Sequence, residues 1–116
     1  METVQSKRAR IRALNDDMRT QDRVPTGNQR WLLTAGVLAL ADDAAERAVA
    51  RVQAFDDFDP DNDPHGEHDF GSFELDGEKL FWKIDYYNPT LDGGSADPAD
   101  PSLTTRVLTI MLALEY

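Results

Sequence analysis

A chain of 116 residues is long enough to bury a core of its own as one domain, and its lack of cysteine excludes disulfides and thiolate metal sites. Twelve basic against 22 acidic side chains give a formal net charge of −10; residues 1–30 carry seven basic and four acidic groups, so the remainder stands at −13. Such a body repels nucleic-acid phosphates, which are held through Lys and Arg, and is drawn instead to basic protein surfaces.

Met1 to Met18 is polar and lacks the apolar stretch of a signal peptide, and no run approaches the ~20 residues of a membrane span. A soluble cytoplasmic protein is expected. Within that segment Val4, Ile11, Leu14 and Met18 recur at helical spacing and predict an amphipathic helix over residues 4–20. Its basic residues Lys7, Arg8, Arg10 and Arg12 form a solvated face or arm, or a contact for an acidic surface, this chain's own included. Pro25, Thr26, Gly27 and Asn28 make a turn, and Arg30 to Thr34 reads as a short buried strand. Asp42 or Asp43 then caps a second helix through Ala45, Ala48, Val49, Val52 and Phe55, which Pro60 and Pro64 prevent from continuing.

Asp76-Gly77 lies between two alternating runs and signals a two-residue hairpin, because both central positions of a type I′ turn need positive φ. Counting outward pairs Leu75 with Glu78, Phe73 with Leu80, Gly71 with Trp82, Phe70 with Lys83 and His68 with Asp85. Phe73, Leu75, Leu80, Trp82 and Ile84 then share the core face, and Phe70, Ser72, Phe81, Lys83, Asp85 and Tyr87 the other. Asn88 to Pro101 is a long polar loop. Asp100 and Pro101 open a last helix, with Leu103, Val107, Leu108, Ile110, Met111, Leu112 and Leu114 wrapped so far around it that it is largely buried. The expectation is an α+β domain over residues 1–116: a small, mainly antiparallel sheet of one short strand plus a hairpin, covered by three helices, with residues 1–28 as a partly independent basic helix or arm.

Between the second helix and the hairpin, Asp56 to Asp69 gathers seven carboxylates and both histidines of the chain without a Lys or Arg. One reading is a divalent-metal site built from Asp61, Asp63, His65 and His68, although the spacing matches neither an EF-hand nor a His-Glu-x-x-His helix. A second is a catalytic face on which Asp85 orients His68 beside Lys83, without an evident nucleophile. The third is a turn-rich loop in which Asp59, Asp61, Asn62 and Asp63 satisfy backbone N–H groups while other carboxylates face solvent.

Phe55-Asp56-Asp57-Phe58, Asp61 to Gly71, Phe81 to Tyr87 and Thr105 to Leu112 resemble an uncharacterised family of short bacterial proteins, a domain of unknown function. The resemblance covers about residues 8–116. It implies a cytoplasmic protein often carried on plasmids and mobile elements, and brings no activity, cofactor or catalytic residue.

The sequence therefore favours an acidic, non-enzymatic interaction module, concretely an inhibitor that occupies the basic nucleic-acid-binding surface of a DNA-handling or host-defence protein. Asp57, Asp59, Asp61, Asp63, Glu67, Asp69 and Tyr87 are its expected contacts. No cofactor is expected beyond the divalent cation of the first reading. The alternative is a small metal-dependent or His/Asp hydrolase acting through His68, Asp85 and Lys83.

Overall fold

The computed structural model describes residues 3–20 and 28–116, so the turn expected at Pro25 to Gly27 lies outside the described residues. Helix α1 spans Val4–Thr20, as its periodicity predicts. Its start is tied by Thr3 and Ser6, each backbone N–H donating to the other's hydroxyl at 3.0 Å. The buried stripe is not purely apolar: Asn15 and Arg19 lie on it with Ile11 and Met18.

Strand β1 (Gln29–Leu33) ends at Thr34, whose hydroxyl accepts from Val37 N and starts the one-turn helix α2 (Ala35–Leu38). The Glu115 carboxylate reinforces that turn, accepting from the Thr34 hydroxyl at 2.7 Å, Leu112 N at 2.8 Å and Gly36 N at 3.1 Å. These donors hold its pKa below the ordinary glutamate range. Helix α3 (Ala44–Gln53) follows and buries Ala44, Ala48 and Val52. Asp43 stands at its cap position, but its side chain pairs with Arg47 rather than capping.

Strands β2 (Phe70–Leu75) and β3 (Glu78–Tyr87) form the expected hairpin, with Asp76 and Gly77 at φ 53° and 82°. Their register is the one counted outward from the turn, from Leu75 with Glu78 to Phe70 with Lys83. Asp100 does open a turn, its carboxylate accepting from Ser102 N, yet the turn ends at Leu103. The expected last helix is instead strand β4 (Thr105–Leu112).

Thr105, Val107, Thr109 and Ile110 are β-branched and favour a strand. β4 lies between β1 and β3 and is buried along most of its length, and a strand covered on both faces carries the continuous apolar run that also marks a buried helix. With it the sheet has the order β1-β4-β3-β2, β1 parallel to β4 and the other pairs antiparallel. The fold is thus α+β with a mixed four-stranded sheet rather than a mainly antiparallel one.

Helices cover one face of this sheet. Trp82, Leu80, Ile84, Leu108 and Ile110 point into it and meet Met18, Val37, Ala48 and Val52. Burying an apolar side chain of this size fully, as for Leu80, Leu108 and Ile110, contributes about 2 kcal/mol each. The long loop after β3 is pinned by Asn88 N to Gly93 O, by Ser95 N to Tyr86 O and by the Ser95 and Thr104 hydroxyls at 2.8 Å. Lys7 of α1 reaches it through an ion pair to Asp97. No helix among the described residues is long and apolar enough to cross a membrane.

Candidate functional site

The acidic stretch folds into two parts with different chemistry. In the first, Asp59 Oδ1 accepts from Asp61 N at 2.8 Å and Asn62 N at 3.0 Å, while Asn62 Oδ1 accepts from Asp59 N at 2.9 Å. Asn62 Nδ2 donates to Asp57 O, and Asp63 N donates to Asp59 O. These local bonds hold the backbone around Pro60 with little help from the core. Asp56, Asp57, Asp59 and Asp61 are left exposed on it.

In the second part the carboxylates turn inward. Asp63 is only 8% exposed, and its oxygens accept from Glu67 N at 3.1 Å and His68 N at 3.2 Å. His68 has φ 55°, the left-handed region that L side chains seldom adopt, and Asp63 holds it there. That kink reverses the alternation carried back from Phe70. The imidazole therefore leaves the face of Lys83 and Asp85, where the strand count places it, for the helix side of the sheet.

There His68 stacks on Phe58 with ring centroids 3.8 Å apart and planes 3° from parallel. Its Nδ1 lies 2.8 Å from Asp16 Oδ1 of α1 and Nε2 3.6 Å from Asp63 Oδ2. Since an ionised carboxylate only accepts, Nδ1 carries the proton in the short contact. Asp16 also receives Arg19, whose guanidinium donates to Val52 O and Phe55 O and lies 5.3 Å from the Phe58 ring centre. The carboxylate that orients His68 is thus Asp16, a residue that sequence reasoning missed.

A buried polar ladder joins α1 to the strands beside this cluster. The Asn15 amide donates to Glu67 O at 3.0 Å and to the Tyr86 hydroxyl at 2.8 Å, and accepts from Arg106 Nε at 2.8 Å. Tyr86 donates in turn to Glu67 Oε1 at 2.8 Å, and burial pushes its pKa well above the usual tyrosine range. Arg106 also donates to Pro98 O and lies over the Tyr86 ring, and burial lowers its pKa. With Arg12 donating to Gly66 O, α1 is docked on the acidic stretch itself.

Asp69 is the strained charge of this region, its pKa raised by burial and by neighbouring Glu67 and Asp63. A carboxyl with a raised folded pKa opposes folding when ionised, at neutral pH, and that opposition fades as pH falls through the raised pKa. Asp69→Asn should therefore raise the melting temperature at pH 7, by on the order of 2 °C because water still reaches the group. The advantage should vanish in acid melts, and an unchanged gain at low pH would exclude an electrostatic origin.

A cavity of about 430 Å³ opens over His68, bounded by Phe58, Asp59, Pro60, Asp63, Pro64 and His65. No Ser, Thr or Lys lines it. Among the described residues no group of three or more His, Asp or Glu side chains is arranged to hold a metal ion; Asp61 and His65 are exposed, while Asp63 and His68 serve the kink. Lys83 and Asp85 pair at 2.9 Å on the far face of the sheet, where Tyr87 also stands, so neither they nor Tyr87 share a site with His68. Of the expected contacts, Asp57, Asp59 and Asp61 stand together on the loop, Asp63, Glu67 and Asp69 face inward, and Tyr87 is apart.

Residues 33–115 match the model of a family described as Protein of unknown function (DUF3768). No curated protein and no solved structure matches the chain.

Proposed function

We propose that this chain, which belongs to the DUF3768 family, is an acidic protein-binding module that acts through the loop Asp56–Asp61. Its most concrete form is an inhibitor, encoded on a mobile element and working in the cytoplasm, that occupies the basic nucleic-acid-binding surface of a DNA-handling or host-defence protein. What supports the reading is the row of exposed carboxylates Asp56, Asp57, Asp59 and Asp61 on a backbone held by its own side chains. Charges fixed in advance meet a basic partner without the entropy cost of ordering a flexible tail. They also repel one another until a cation approaches, so a partner gains that relief on binding.

Asp57→Asn with Asp61→Asn removes two of these charges while leaving Asp59 and Asn62 to hold the loop. The immobilised wild-type chain should retain a basic, nucleic-acid-binding protein from host extract at low salt and release it as salt rises, and the double variant should retain it about tenfold more weakly. The retained protein should also lose its nucleic acid when the chain is added. Capture that is indifferent to salt and to both substitutions would dismiss the proposal.

A further inference from the structure

The face of the sheet turned away from the helices has its own character. Leu32 of β1 and Leu91 of the loop after β3 are 52% and 45% exposed there. With Tyr87 and Val107 they bound a groove of about 410 Å³ whose remaining wall includes the Lys83–Asp85 pair. Beside the groove, Phe81 packs edge-on to Tyr116 with centroids 5.4 Å apart.

Charge says what can approach this face. The acidic stretch packs on the helix side, against Asp16 and Arg12 of α1. Here strand alternation places Arg30, Lys79 and Lys83 against Glu74 and Asp85, close to balance in a body that is otherwise strongly negative. Two copies of the chain repel through most other approaches but not through this one. Lys83 and Asp85, paired within one chain at 2.9 Å, are of opposite sign, so about a two-fold axis between them the lysine of each copy would meet the aspartate of the other, as an isologous contact requires.

We propose that the helix-free face of the sheet is the interface of a symmetric dimer, in which the groove of each copy takes up Leu32 and Leu91 of the other across paired Lys83 and Asp85 side chains. The interface does not depend on what the acidic loop binds.

Sedimentation velocity from about 1 to 300 µM, a range that brackets the Kd of a modest interface, tests this directly. The wild-type chain should pass from monomer to dimer. Lys83→Asp gives a face with two negative charges and Asp85→Lys one with two positive charges, so each variant alone should stay monomeric. Mixed in equal amounts, they should form a heterodimer. Circular dichroism of each variant confirms that it is folded, and Leu32→Asp, at an exposed position, should abolish association independently. A wild-type chain that stays monomeric throughout overturns the proposal and leaves the face to a different partner. Variants that dimerise alone, or a mixture that does not associate, overturn it equally.

Discussion

Asn15→Leu should lower the unfolding free energy by about 3 to 5 kcal/mol, although leucine has the same branched side-chain shape and is the better helix former. Asn15 is fully buried, and its one amide satisfies the Glu67 carbonyl, the Tyr86 hydroxyl and Arg106 Nε. Leucine's bulkier methyl groups crowd the site and bond to none of the three partners. The heaviest loss falls on Arg106, a charged side chain only 3% exposed, which would keep Pro98 O and the Tyr86 ring and little else. Stranding a buried charge costs more than the pair contributes when intact. Adding Arg106→Met should therefore recover part of the loss, whereas independent sites would add. Urea unfolding of both singles and the double decides it: a cost below about 1 kcal/mol for Asn15→Leu would mean that water replaces the lost partners.

Gly71→Ala carries the second large effect, at a position where one methyl group has nowhere to go. A Cβ there would press on Trp82 Nε1 and stand 2.7 and 2.8 Å from ring atoms of Phe55. Trp82 is fully buried at the centre of the core, so it cannot yield cheaply. Phe55 can move only by disturbing Phe58, 5.1 Å away edge-on, and through it the ring stacked on His68. A loss of about 3 kcal/mol is expected, and it should travel along that aromatic chain. Denaturation gives the magnitude, and the imidazole resonances of His68 report the path. If stability falls but His68 is unperturbed, the strain is absorbed by the backbone of β2 instead.

The hairpin was legible because its information is local: Asp76-Gly77 fixes the turn, and alternation fixes the faces on either side. Reading failed at His68, two residues before β2, where the reversal comes from a left-handed residue that is not glycine. Nothing in the local pattern marks it, since it depends on Asp63 reaching back to hold the kink. β4 misled for a different reason, its periodicity hidden because side chains on both faces are covered. The docking of α1 did leave a trace. Asn15 and Arg19 fall four and eight positions after Ile11, in line with Met18, on the stripe that amphipathicity assigns to the core. Polar residues on such a stripe foretell buried partners, though not which ones. The acidic loop was recognisable from its Asx residues, and only the structure separates its outward carboxylates from the inward ones.

The parallel pairing of β1 with β4 also sets a timetable. Trp31 adds to the sheet opposite Leu108, yet the two are separated in sequence by two helices, the acidic stretch and the whole hairpin. The hairpin can close within microseconds of its turn forming, and β4 can then zip onto β3. β1 leaves the ribosome long before the strand it needs, and its partner edge does not exist until β4 has docked. Until then Trp31, Leu32 and Leu33 wait in water with unpaired backbone on both sides. The slowest step in making this protein should therefore be the return of an early strand to a late one, and any crowding or chaperone dependence of its yield should trace to that wait.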